Sequence, residues 1–566
     1  MFIKITRSGS RQYLQLVEAF RDENGKSKHR TLATLGRLDQ ISDELDSVIS
    51  GLLKLTGRPD FLKASAPPFE FESARALGNV WALNELWETL GFGELRRVFR
   101  KTRHSIDVEA LIRVMVFNRL CDPESKLGVL RWLETVAMPG IEVESITHQH
   151  LLRSMDALID HQADVDAVVA GLLRPLIDQE LSVVFYDMTT IRAEGHSSEE
   201  GDVRHFGMAK EGLIARQFML GVVQTGDGLP IYHEVFAGNT AESPTLLPTL
   251  KTVLERFPSI RRVVLVADRG LLSLDNLDVL SEIRLESGKP LEFVLAVPGR
   301  RYTEFVDLLR PFHDERCAEA KQEIVGELPW LKLRLVVAHD PQVAKETGAL
   351  RRERIQALET QAAAWVGKLD AQDAGVKARG KKLSDSGAKA RLYHAVKEAR
   401  LGNIFRVDLK NELFSYDINE DALVLAELMD GKLLLVTNTP DLTAQGVVDR
   451  YKSLADIERG FRVLKSEIEI GPVFHRLPER IKAHASLCFI AMILYRVMRQ
   501  RLRKADSDLS PERALEQLER IQHHQIRIDK AAKPISGISR LSDIHNRVFA
   551  ALELKKPVQP QQLSLL

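Results

Sequence analysis

The sequence predicts an α/β protein: a mixed sheet with flanking helices, interrupted by a large insertion and preceded by a β-hairpin and a helical region. Three observations carry this prediction. Short apolar runs alternate with helix-period runs from Leu181 to Pro298, the alternation lapses from Gly299 to Met429, and a strand followed by a helix returns after Asp430. At 566 residues the chain is several times the usual domain length, which leaves room for accessory units around such a core.

Composition narrows the class. With 44% hydrophobic and 28% charged residues the chain reads as globular, neither disordered nor fibrous. Its three cysteines, Cys121, Cys317 and Cys488, are far apart and form no CxxC pair, which speaks against a zinc ribbon or a disulfide framework and fits a reducing cytoplasm. The opening MFIKITRSGSRQYLQL lacks the apolar run of a signal peptide, and the most apolar helical stretch, Leu487 to Met498, is 12 residues, short of a membrane span. No P-loop, HExxH or serine elbow occurs.

The elements follow in order. FIKITR, YLQLVEAF and RTLATL, with the turn DENGKSK, predict an N-terminal β-meander over 1–45. From Phe71 the spacing turns helical, and a helical region is expected over 70–175. The first part of the core, 180–298, reads LSVVFYD, LIARQFMLGVVQ and LPIYHEVF as strands, with TGDG as a hairpin turn. A helix capped by Ser243 with Pro244 at its first position follows, then strand RRVVLVAD, helix SLDNLDVLSEIR and strand LEFVLAVP. Strand, strand, strand, helix, strand, helix, strand is a ribonuclease H-like order, in which the first and fourth strands are neighbours. An insertion domain with a helical hairpin is expected over 299–429, the second part of the core with a long helix from Val448 to Glu469 over 430–505, and a C-terminal helical region over 506–566.

Chemistry enters at two strand ends. The first and fourth strands each run into an aspartate, Asp187 and Asp268, which neighbouring strands would bring to one sheet edge, where ligands of open α/β sheets bind. Two carboxylates there repel unless a cation lies between them, and hard oxygen donors suit Mg²⁺ or Mn²⁺. Taken alone, Asp187 reads equally as a strand-end cap and Asp268 as a turn residue, and Thr189 and Thr190 read as a turn leaving the strand. On the Val448–Glu469 helix, Tyr451, Glu458 and Lys465 recur every seven residues and Arg462 follows Glu458 by four, which on an unbroken helix makes one face. Such a stripe is also what a salt-bridged surface looks like.

Net charge is zero, but local charge is uneven. Gly471 to Lys504 holds eight Lys/Arg against the single acid Glu479, and Arg96 to His104 holds five with no acid; both are the kind of patch nucleic acid favours, and each is also compatible with a solvated helix face. Lys210 is a loop lysine, and His148, His150, His475 and His484 show no metal-ligand spacing. His523 and His524 are expected at the surface.

With these residues placed, the chain resembles the DDE-type insertion-sequence transposases of the YREK-signature subgroup, whose catalytic core is ribonuclease H-like, of the retroviral integrase superfamily. YDMTT resembles the first-acid motif, ADRGLLS the second, FAGNTAESPTL a block between them, and YKSLADIERGFRVLK the third, with Leu454 where the signature arginine belongs. The resemblance implies a catalytic and metal-binding triad of Asp187, Asp268 and Glu458 holding two Mg²⁺ ions, for which Mn²⁺ substitutes, and DNA contacts from Tyr451 and Lys465. Arg450 and Arg462 are the candidates to replace the missing arginine. It further implies a transposase that binds the terminal inverted repeats of its element as a homodimer in a synaptic complex, cleaves 3′ ends and joins them to target DNA. Two alternatives stay open: a structure-specific nuclease of the same fold, and a DNA-binding derivative without activity.

Overall fold

A computed structural model describes residues 1–8, 11–21, 27–38, isolated positions between 47 and 56, 70–100, 106–177, 182–195, 199–208, 214–267, 274–313, 320–375, 382–410, 412–527 and 534–558. The chain divides into two units.

The first unit takes in Met1–Arg75 and His523–Ser539. Its strands β1 (Phe2–Ser8), β2 (Arg11–Arg21) and β3 (Ser27–Arg37) form the expected antiparallel meander, with β2 in the middle. A further strand, β4 (Glu70–Ala76), replaces the start of the expected helical region. It pairs with β16 (Gln522–Arg527), which pairs in turn with β17 (Ile535–Ile538). The FESARA run, at the start of the helical spacing, is a strand because of a partner some 450 residues away, seen in the Ser73 to Gln525 hydrogen bond of 3.2 Å. His523 and His524 are therefore half-buried strand residues, and the C-terminal region is not all helical.

The second unit opens with helices α1 (Gly78–Leu90), α2 (Val108–Cys121), α3 (Lys126–Thr135), α4 (His148–Asp160) and α5 (Gln162–Leu173). Side-chain caps start three of them: Asp107 on α2, Ser125 on α3 and Thr147 on α4. The sheet follows, with strands β5 (Ser182–Arg192), β6 (His205–Met208), β7 (Ile214–Thr225), β8 (Pro230–Ala237), β9 (Val263–Ala267), β10 (Glu292–Ala296), β11 (Ile324–Trp330), β12 (Leu333–His339) and β15 (Lys432–Thr437). Its order is β11-β12-β15-β10-β9-β5-β7-β6, with β8 also on β7. Strand β5 pairs antiparallel with β7 and parallel with β9, and β9 pairs parallel with β10, which is the ribonuclease H-like arrangement expected. The expected helix start at Ser243 is a 3-10 turn, Ser243–Thr245, and the helix α6 proper is Leu246–Arg256 with Thr245 at its N-cap position.

Strands β11 and β12 belong to this sheet, so the sheet extends into the segment read as insertion. The part with a core of its own comes after them: helices α8 (Pro341–Asp373) and α9 (Asp385–Glu398) and a hairpin of β13 (Phe405–Lys410) and β14 (Leu413–Ile418). Ile355, Leu358, Leu392, Val396 and Phe405 are buried together there. Helix α7 (Leu274–Glu282) lies between β9 and β10.

After β15 come α10 (Ala444–Lys452), α11 (Ala455–Ser466) and α12 (Pro478–Lys504). Helix α12 has 27 residues, more than twice the stretch its apolar run suggests, and 94% of its most apolar window is buried inside the protein. A helix apolar all round is a core helix when protein surrounds it. It packs against α2, α4 and β8, where His233 stacks on Phe489 at 4.3 Å.

Candidate active site

Asp187 stands in the middle of β5, not at its end. Strand β7 supplies an antiparallel partner for every residue from Val184 to Arg192, so Met188, Thr189 and Thr190 remain in the strand and Thr189 is buried. The expected turn at the threonines is thus absent: β-branched residues with a partner strand alongside keep the extended form. The parallel partner is shorter. Its last described pair is Tyr186 with Ala267, so Asp187 is the first residue of β5 beyond the described parallel ladder. Asp268 follows Ala267 directly in the chain and itself lies outside the described residues, as does Lys210.

Alternation along β5 sends Asp187 and Phe185 to one face and Tyr186 to the other. The Tyr186 hydroxyl meets Thr245 Oγ1 at 2.7 Å on the α6 side. Asp187 and Phe185 share their face with their cross-strand partners Val222 and Gln224. Helix α11 packs on that face. Gly460 makes the approach possible: a Cβ there would lie 2.8 Å from Arg496 Nη2 and 2.9 Å from Gln224 Nε2. A glycine inside a helix costs about 1 kcal/mol against alanine, so the ERGFR stretch carried a signal of close packing that periodicity passes over. Glu458 precedes Gly460 by two residues on α11; its side chain lies outside the described ones.

The Asp187 carboxylate is half-buried, and its Oδ1 accepts the Met188 N–H at 2.7 Å. Among the described residues no group of three or more His, Cys, Asp or Glu side chains is placed to hold a metal. The expected donor set, two aspartates and a glutamate, includes two members beyond that description, and its oxygens suit a hard divalent ion.

The expected single helix from Val448 to Glu469 is broken. Helix α10 ends at Lys452 and α11 starts at Ala455, with Leu454 as its partly buried N-cap residue. The Leu454 N–H bonds to the Tyr451 carbonyl at 2.9 Å, a three-residue closure, and Ser453 Oγ bonds back to the Arg450 carbonyl at 2.6 Å. Such serine back-bonding competes with the helical ladder and bends it. Arg450 and Tyr451 therefore close α10, whereas Glu458, Arg462 and Lys465 ride on α11, and the seven-residue stripe does not run along one continuous face. Arg450, Tyr451 and Lys465 are half-buried and Arg462 is exposed.

The two basic runs are partly built into the fold, while Arg100, Arg476, Lys482 and Arg503 stay exposed. Arg96 Nε reaches Glu109 Oε2 at 2.7 Å, which holds its guanidinium above the ordinary range, and Arg97 pairs with Glu94 at 2.6 Å. Arg480 grips Asp156 with bonds of 2.7 and 2.8 Å, Arg496 is buried, and Lys504 meets Glu553 at 3.2 Å. Lys101, Arg103 and His104 lie outside the described residues.

A sheet of this order, with an aspartate where its parallel ladder ends and a helix pressed onto the aspartate's face, is a ribonuclease H-like core, and sequence comparison gives its family. Residues 178–494 match the transposase DDE domain family, and the chain belongs to it. At the other end, residues 3–65 match the N-terminal domain of IS1634 family transposases, so this is a transposase of the insertion-sequence type. No curated protein matches the chain. DNA as partner and general use of divalent metal come with the family.

Proposed function

We propose that the protein binds the terminal inverted repeats of its own element, cleaves the 3′ ends and joins them to target DNA, with Asp187, Asp268 and Glu458 as its carboxylate triad. One observation carries the reading: β5 and β9 are parallel neighbours paired up to Tyr186 and Ala267, the residues just before the two aspartates. The close packing of α11 at Gly460 onto the face that Asp187 shares supports a place for Glu458 in the same group.

The three carboxylates would hold Mg²⁺, two ions in all, which supply Lewis acidity for activating the attacking oxygen and stabilising the leaving one in an in-line displacement. The protein's own part is placement. Asp187 is tied to its own strand by the Met188 N–H, which fixes the carboxylate on the sheet face that α11 covers. Tyr451, Lys465, Arg450 and Arg462 contact the DNA next to the cleaved phosphate, the first and third from α10 and the others from α11. This assigns the chain to the YREK-signature subgroup, with Leu454 displaced into a packing role. Both ends of the element are brought together by a homodimer.

The test is 3′-end nicking of a duplex carrying the element's terminus, with Mg²⁺, followed by joining of pre-cleaved ends to a plasmid. Asp187→Asn, Asp268→Asn and Glu458→Gln should each abolish both steps and leave DNA binding intact. Undiminished nicking in any of them removes that residue from the triad, and nicking without joining identifies a nuclease instead.

A further inference from the structure

Away from the candidate active site, the described residues enclose a cavity of about 460 Å³ where the amino-terminal ends of α3, α4 and α12 meet the chain between Glu469 and Arg476. Its wall is cationic and incompletely paired. Lys126, the first residue of α3, is 6% exposed, and no hydrogen bond or ion pair joins its ammonium to a described residue. Burial, with Arg119 beside it, pushes that ammonium down to about 7.

Arg119 is 5% exposed and spends its donors on the carbonyls of Glu124 and Glu469 and on the Asn118 amide, with no carboxylate among its described partners. Its buried Nε meets no partner, and neither does His484 Nδ1, whose ring bonds through Nε2 to the Ile470 carbonyl at 2.9 Å. The other cations of the wall are engaged, Arg480 by Asp156 and Arg476 by Glu199 at 3.7 Å. The two acids of the wall do not compensate. Glu124 faces Arg131 at 3.9 Å, and Glu469 is exposed.

Two buried cations without a carboxylate, Lys126 at the amino-terminal end of α3 and Arg119 in the last turn of α2, with the amino-terminal ends of α4 and α12 beside them, make an environment that an anion completes. The volume is that of a site for a nucleotide-sized ligand. At its rim Phe474 is 74% exposed, an aromatic face open to a base. The same segment is fixed to the catalytic sheet: the Val473 N–H bonds to the Arg192 carbonyl at 3.0 Å and the Glu194 N–H to the Val473 carbonyl at 2.8 Å. That junction is six residues past Asp187, ~20 Å at the rise of a strand.

We propose that this cavity receives a phosphate of a DNA strand, held by Lys126 and Arg119, while Phe474 stacks on the adjoining base. The proposal rests on DNA being the partner, as in the function above, but not on the triad. It gives the transposase a hold on a strand a fixed distance from the carboxylates.

The experiment is binding of fluorescent oligonucleotides, single-stranded and duplex, to the full chain in EDTA over a salt series, with inorganic phosphate as competitor. Lys126→Gln should weaken binding about tenfold or more and lower the salt slope by about one. Phe474→Ala, at an exposed position that folding does not need, should weaken single-strand binding about five- to a hundredfold and leave the salt slope unchanged. Thermal unfolding of each variant identifies a folding defect, in which case Phe474→Ala decides alone. If the wild type binds DNA and Phe474→Ala binds equally well, the cavity proposal is overturned while the transposase reading stands. If phosphate binds the cavity without displacing any oligonucleotide, the site is an anion site unrelated to DNA. If the wild type binds no DNA, the proposed function fails with it.

Discussion

Glu109 is completely buried in the helical region, and removing it measures how far that region depends on one carboxylate. Its Oε1 accepts the Trp87 indole N–H at 2.8 Å, its Oε2 accepts Arg96 Nε at 2.7 Å, and Arg113, 5% exposed, lies 3.5 Å away. Glu109→Ala strands Arg113 beside a cavity and leaves the Trp87 donor unpaired. Breaking a buried ion pair costs about 3–5 kcal/mol. The lower end applies, because Arg113 keeps Asn84 at 2.7 Å and Glu88 at 3.4 Å. Glu109→Gln preserves the shape and an acceptor and should lose about 1.5–3 kcal/mol, the worth of a hydrogen bond to a charged group. The control is Glu94→Ala, which breaks the Arg97 pair at 2.6 Å between side chains 77% and 45% exposed and should cost less than about 1 kcal/mol. Urea unfolding followed by tryptophan fluorescence, with Trp87 as local reporter, reads all three. The reasoning is refuted if Glu109→Ala costs no more than Glu94→Ala. Arg96→Ala extends the test: a stability loss with little change in DNA affinity is expected of a residue committed to Glu109.

Two more outcomes follow from packing and from protonation. In the FAGNT stretch, a Cβ on Gly238 would lie 1.9 Å from the Gln217 carbonyl oxygen and 2.9 Å from that of His205, both backbone, so Gly238→Ala should exceed the about 1–3 kcal/mol of ordinary overpacking and show as a lowered urea midpoint; an unchanged midpoint would contradict the strand contact. Burial holds His233 and His339 down to about 4 and His475 to about 3, with Lys432 adding to the effect at His339 and Lys126 at His475. Because these values lie below the unfolded value near 6.5, the unfolded chain takes up protons that the folded chain refuses, so stability holds above pH ~6.5 and falls at about 1.4 kcal/mol per pH unit for each histidine as pH drops toward 4. Urea midpoints at pH 7, 6 and 5 should decline, and His233→Gln should make the decline shallower; equal midpoints would mean that these rings are protonated in the fold.

What the sequence made legible was local or periodic. Alternation marked β7 and β8, the buried run marked β9, and the strand-strand-strand-helix-strand order was enough to make β5 and β9 neighbours. Pairing across long separations was not legible. The strand β4 depends on β16, and Arg480 is neutralised by Asp156, more than 300 residues earlier, so a run of basic residues that looked like one surface is distributed among separate partners. Lys126 illustrates the converse: nothing around it in SKLGVL marks it as buried, and its setting arises only where α3, α4 and α12 meet.

The break between α10 and α11 has the most direct bearing on the site. Seven-residue spacing defines a face only on an unbroken helix, and a serine fits inside a helix as well as at a kink, so YKSLADIERGFRVLK alone does not distinguish the two. With the kink at Ser453 and Leu454, Gly460 determines where α11 lies, by bringing it within contact of Gln224 on the face of Asp187. Arg450 and Tyr451 are then positioned by α10, which packs against β9, β10 and β15 independently of α11. If both segments contact DNA as proposed, Gly460→Ala should impair nicking by displacing α11 from Gln224 and Arg496 and should weaken affinity for the element's end much less, because Arg450 and Tyr451 keep the packing of α10 while Arg462 and Lys465 move with α11. Equal loss of binding and nicking would mean that the two helices move as one body and that the kink has no part in separating DNA contact from catalysis.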